Sequence, residues 1–94
     1  MKTHGLKFLI TGSAGFVGFH LSKLLLSKNF VVLGLDGFTD YYDVKLKKSR
    51  NKLLKNYKNF THYKCMLEDE ERLYNICKKE KPNVIIHLAA QAGV

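Results

Sequence analysis

Chemistry in this sequence concentrates in one glycine-rich stretch and one carboxylate. The stretch is Thr11-Gly12-Ser13-Ala14-Gly15-Phe16-Val17-Gly18, and the carboxylate is Asp36, eighteen residues beyond Gly18. Each glycine has a physical task when such a run joins a strand to a helix. Gly12 permits the tight turn off the strand. Gly15 leaves no side chain where a pyrophosphate approaches the backbone, and Gly18 lets the helix pack closely on the sheet. The helix then offers unpaired N–H groups and the positive end of its dipole to the phosphates, with Ser13 as an added hydroxyl donor. An acidic group at the end of the next strand accepts hydrogen bonds from the adenosine ribose hydroxyls and repels a 2′-phosphate, so the pattern points to NAD rather than NADP.

The surrounding elements are arranged to position these groups. Apolar runs of strand length alternate with helical patterns, the mark of a parallel sheet with crossover helices. Strands are expected over residues 6–11, 30–35, 60–65 and 84–88. Helices are expected over 15–28 with Val17, Leu21, Leu24 and Leu25 inward, and over 41–56 with Leu46, Leu53, Leu54 and Tyr57 inward. A third helix opens in the acidic cluster Glu68-Asp69-Glu70-Glu71, ends with Lys78 and Lys79 before Pro82, and turns Leu73, Ile76 and Cys77 inward. Right-handed crossovers favour strand order 3-2-1-4 with helices on both faces, an α/β partial Rossmann sheet, doubly wound and parallel. The mixed third strand suits a sheet edge. The apolar fourth strand expects neighbours on both sides, so either a larger sheet or another chain is expected beside it, and a homodimer through that strand is one outcome.

Composition narrows the function classes. Of the 94 residues, 46% are hydrophobic and 26% charged, the balance of an ordinary globular domain. No apolar run approaches the ~20 residues that cross a bilayer, and the apolar stretch before Gly12 is too short for a secretory signal, so a cytoplasmic location is the default expectation. Cys65 and Cys77 have no second pair and no histidine at ligand spacing; both read as reduced, partly buried thiols and no metal site is expected. The net charge of +8 gathers in Lys45, Lys47, Lys48, Arg50, Lys52, Lys55, Lys58 and Lys64. These read as the solvated face of a helix, since no aromatic platform alternates with them, and dedicated nucleic-acid binding is not expected.

Thr11-Gly12-x-x-Gly15-x-x-Gly18 resembles the extended short-chain dehydrogenase/reductase family, the NAD-dependent epimerases and dehydratases of nucleotide sugars. The segments 36–43 (DGFTDYYD) and 87–94 (HLAAQAGV) resemble its UDP-glucuronate 4-epimerase subgroup, and the likeness runs along essentially the whole chain. It implies that residues 1–94 are the N-terminal part of an NAD-binding domain. Backbone contacts to the pyrophosphate come from Gly12, Gly15, Phe16 and Val17. Asp36 holds the adenosine ribose, with Gly37 and Phe38 beside the adenine, and Leu88, Ala89, Ala90 and Gln91 lie along the nicotinamide half. Where the family usually offers an aspartate to the adenine amino group, this chain has Met66 followed by Leu67. Methionine packs on a purine face but cannot accept that hydrogen bond, a loss of about 1 kcal/mol. Gly37 stands where an asparagine is common.

Catalysis in the family uses a Tyr-x-x-x-Lys pair. Tyr74 and Lys78 have that spacing, but they fall in the helix after the third strand, on the wrong side of the fold. No catalytic residue is expected within these 94, and a UDP-sugar is expected as partner only of a longer parent. His87 reads as a hydrogen-bonded structural residue, and His20 and His62 as surface residues. The alternative reading is a non-catalytic nucleotide-binding or interaction module that pairs through its fourth strand.

Overall fold

The computed structural model describes residues 5–37, 44–66 and 68–88. Its elements are β1 (Lys7–Thr11), α1 (Phe16–Ser27), β2 (Val31–Leu35), α2 (Val44–Leu54), β3 (Phe60–Tyr63), α3 (Glu70–Glu80) and β4 (Val84–His87). The four strands form one parallel sheet in the order β3-β2-β1-β4, as the alternation of elements predicts. Leu9 pairs in register with Leu33 on one side and Ile85 on the other.

Alternate strand residues project to opposite faces, and each face has its own core. On one, Ile10 and Val32 pack with Phe19 and Leu26 of α1, Leu54 of α2 and Phe60. On the other, Leu9, Leu33 and Leu35 pack with Cys65 and Ile76 of α3. Helices therefore cover both faces. α3 starts at Asp69, whose carboxylate accepts from the Arg72 N–H at 3.1 Å, and ends at Lys81 in the left-handed region. Glu70 and Glu71 in its first turn and Lys78 and Lys79 in its last complement the helix dipole.

The elements are shorter than the sequence patterns suggest, and two helices are rotated from the expected faces. α1 turns Gly18, Phe19, Ser22 and Leu26 inward, with Leu21 and Leu25 half-buried, while Val17 and Leu24 are exposed. In α2, Leu54 is fully buried and Tyr57 packs behind it, whereas Leu46 and Leu53 face solvent. α3 follows expectation, with Ile76 buried and Leu73 and Cys77 packed beside it. Along β4, Val84 and Ile85 remain exposed, Ile85 to 58%. No helix among the described residues is long and apolar enough to cross a membrane.

Candidate dinucleotide-binding site

The glycine turn sits at the carboxyl end of β1, where open α/β sheets place their ligands. Gly12 has φ +74°, a conformation that side chains with a Cβ rarely adopt. Its N–H donates to the Leu35 carbonyl at 2.7 Å, which ties the turn to the end of β2. Gly18 meets a harder constraint: a Cβ there would stand 2.1 Å from the Gly12 carbonyl oxygen. The close approach that this glycine allows is therefore onto the turn itself, more than onto the sheet.

The helix that follows opens without a cap. Gly15 is its N-cap residue, no side chain caps it, and no acidic residue occupies its first turn. Its first α-helical hydrogen bond runs from the Phe19 N–H to the Gly15 carbonyl at 2.8 Å. The amides of Phe16, Val17 and Gly18 are the ones such a helix leaves unsatisfied. The side chains of Phe16 and Val17 point to solvent, so they do not roof the amides over. Ser13 is placed otherwise than a phosphate donor requires. Its Oγ is buried, turned toward Gly34 of β2, and has no hydrogen-bond partner among the described residues.

Asp36 follows β2 directly and is 5% exposed. Because Gly12 is pinned to Leu35, the next residue folds back on the turn, and Asp36 Oδ2 accepts from the Ala14 N–H at 3.1 Å. The carboxylate is thus tied to the turn that leads into α1. The chemistry of these groups suits a diphosphate joined to a ribose: amide donors for the anion and, in Asp36, a carboxylate acceptor for the diol. The cradle needs its glycines, since at residue 18 a Cβ would collide with the turn.

Two cations that the sequence pattern assigns to a solvated helix face also reach the site. Lys47 Nζ lies 3.5 Å from Asp36 Oδ1, its side chain only 16% exposed. Arg50 Nη1 donates to the Ala14 carbonyl at 3.2 Å, and its guanidinium lies 5.9 Å from the centre of the Phe16 ring. The available signal was their spacing of three on one helix, which sets both on one side. Lys45, Lys48 and Lys52 are exposed as expected.

Beside Asp36, Met66 covers Gly37: the methionine sulfur stands 2.5 Å from where a Cβ on residue 37 would lie. At the β4 side, the Leu88 N–H donates to both the carbonyl and the hydroxyl of Thr11, at 3.2 and 3.0 Å. Leu88 is thereby held next to the turn. Phe38, Leu67, Ala89, Ala90 and Gln91 lie outside the described residues.

The histidines divide. His87 Nδ1 shares a 2.9 Å hydrogen bond with Thr11 Oγ1 at the carboxyl end of the sheet, with the ring exposed rather than in the core. His20 packs edge-on against Phe16 and Phe19 at the surface. His62 departs from the surface position expected of it. It is half-buried beside Asp36, and burial pushes its imidazole below the usual histidine range, against a hydrogen bond with the Asp36 backbone that works the other way. Tyr74 is exposed on α3, which packs on the sheet face away from α1 and α2. Both cysteines are free, and among the described residues no cluster of histidine, cysteine and carboxylates could hold a metal ion.

Comparisons with known proteins match nearly the whole chain. The family model of GDP-mannose 4,6 dehydratase matches residues 9–94. A probable UDP-glucuronate 4-epimerase of Rhizobium meliloti (strain 1021) is 48% identical over 89 residues, which cover 95% of this chain and 26% of the relative. Protein CapI of Staphylococcus aureus is 46% identical over the same shares of the two chains. The crystal structure of UDP-glucuronic acid 4-epimerase from Bacillus cereus, in complex with UDP-glucuronic acid and NAD, superposes with a TM-score of 0.83 at 31% identity, over 95% of this chain and 28% of that one. The chain thus spans about a quarter of the length of the curated relatives it matches.

Proposed function

The chain belongs to the GDP-mannose 4,6 dehydratase family, and from that membership we propose that it is the NAD-binding portion of a cytoplasmic nucleotide-sugar epimerase of the UDP-glucuronate 4-epimerase type. The observation that carries the reading is the 3.1 Å hydrogen bond from the Ala14 N–H to Asp36 Oδ2. It ties a carboxylate to the turn that leads into the uncapped head of α1, and an acceptor beside open amide donors is what an adenosine diphosphate requires.

In this reading the amides of Phe16, Val17 and Gly18 receive the pyrophosphate, and the α1 dipole favours its charge. Asp36 binds the ribose hydroxyls, and Gly37 and Met66 flank the adenine. Leu88, with Ala89, Ala90 and Gln91, borders the nicotinamide. Bound NAD would supply a hydride acceptor for a sugar carbon and return the hydride to the opposite face. The residues of this chain hold and orient the cofactor. The Tyr-x-x-x-Lys pair and the sugar-nucleotide contacts belong to a longer parent, and the 94 residues alone are inactive.

Calorimetry of the chain with NAD, ADP-ribose and adenosine tests the proposal. NAD and ADP-ribose should bind with similar affinity and adenosine far more weakly, because the pyrophosphate is the anchor. Equal binding of all three, or none by any at millimolar concentration, rejects it. A second reading, a module that pairs with itself through β4, draws on the exposure of Val84 and Ile85. It requires a concentration-dependent dimer in sedimentation, and a monomer at high concentration removes it.

A further inference from the structure

The usual account of an acidic residue at the end of β2 treats it as a bare negative charge that turns away a 2′-phosphate. Here the charge is not bare. Lys47 Nζ stands 3.5 Å from Asp36 Oδ1, with most of its side chain buried. One helical turn further along α2, Arg50 donates to the Ala14 carbonyl at 3.2 Å while Asp36 accepts from the N–H of the same residue. Ala14 is thus held at both its N–H and its carbonyl, with Lys47 beside the Asp36 carboxylate and Arg50 on the same turn residue. Asp36, Lys47 and Arg50 together carry a net charge of +1 from formal charges of −1, +1 and +1.

We propose that Lys47 is a specificity-determining residue for the adenosine ribose of the dinucleotide. Its ammonium offsets the repulsion that Asp36 exerts on a 2′-phosphate, and it becomes a phosphate ligand, backed by Arg50, once the carboxylate is removed. This rests on the NAD reading above. An ammonium is a compact point charge suited to phosphate, and its position is fixed by a helix rather than a loop. The selection of NAD over NADP in this chain is then set by the pair and not by Asp36 alone.

The test is calorimetric titration of four forms with NAD and with NADP: the unmutated chain, Asp36→Ser, Lys47→Gln, and the double variant. Thermal melts confirm that each is folded. The unmutated chain should prefer NAD. Asp36→Ser should raise NADP affinity about ten-fold or more, the worth of one charge-assisted contact, and the double variant should lose that gain. Lys47→Gln alone should weaken NADP more than NAD. If the Asp36→Ser form does not fold, the Lys47→Gln comparison decides by itself. The proposal is overturned if the double variant binds NADP as well as Asp36→Ser does, or if Lys47→Gln weakens both cofactors equally, as a purely structural brace would. Failure of the unmutated chain to bind NAD rejects the underlying reading and this proposal with it. NAD binding with an unchanged cofactor ratio rejects the role of Lys47 alone.

Discussion

Gly18 packs against the carbonyl of Gly12 so closely that a Cβ on residue 18 would stand 2.1 Å from that oxygen. The obstacle is backbone on both sides, so no side chain can swing away to make room. Gly18→Ala should therefore force the head of α1 off the turn and cost about 3 kcal/mol, the upper end of the usual overpacking range. In a domain of this size that lowers Tm by more than ~10 °C. A melt within a few degrees of the unmutated chain would show that the turn and helix are not locked together.

Leu53 and Leu54 are neighbours with opposite roles. Leu54 is 0% exposed in the core formed with Phe19 and Phe60, and Leu53 is 56% exposed. Leu54→Ala should cost about 2–5 kcal/mol through lost burial and a cavity. Leu53→Ala should change stability by about 0.5 kcal/mol or less. Denaturant unfolding of the two variants checks the orientation of α2, and with it the direction in which Lys47 and Arg50 point.

His62 gives the fold a pH dependence. Burial holds its folded-state pKa below the ordinary value of 6.5, so the unfolded chain takes up its proton first as pH falls. Stability from this group is therefore complete above about 6.5 and declines as pH drops from there toward the lowered folded value. Melting temperatures between pH 7.5 and 5 should fall, and His62→Gln should flatten that fall. An unchanged slope in the variant would assign the acid sensitivity to other groups.

The two thiols should differ in reactivity. Cys65 is buried in the core under α3, and burial raises its pKa above the ordinary cysteine range, while Cys77 is half-buried on α3. Alkylation at neutral pH followed by peptide mass spectrometry should label Cys77 first, since the thiolate is the reactive form. Faster labelling of Cys65 would contradict its placement.

Most of the fold was legible because it follows from patterns that local physics enforces. Apolar runs separated by helical periods specify a parallel sheet, and Asp69, Glu70 and Lys79 mark the ends of α3 through capping and dipole effects. The glycine turn was legible because few residue types fit the backbone at Gly12 and Gly18, and Asp36 because it is a lone carboxylate where an apolar strand ends. What periodicity missed was rotation. The buried stripe of α1 is Phe19, Ser22 and Leu26, and a serine in the middle of it disguises it, so counting leucines selects Leu24 on the wet side. Lys47 and Arg50 were hidden differently. Lysine is almost never buried unless paired, and its partner Asp36 comes from another element, through a contact that only the three-dimensional packing creates.

The central claim is that the open amides of α1 and the Asp36 carboxylate form one nucleotide site. Amide chemical-shift mapping of the 15N-labelled chain during titration with NAD tests it most directly. A saturable response should centre on residues 12–18 and 36–38, reach their neighbours Lys47, Arg50 and Met66 more weakly, and extend to Leu88 as the nicotinamide half seats. A response centred instead on the lysine-rich stretch from 45 to 58, or none at millimolar NAD, would contradict it.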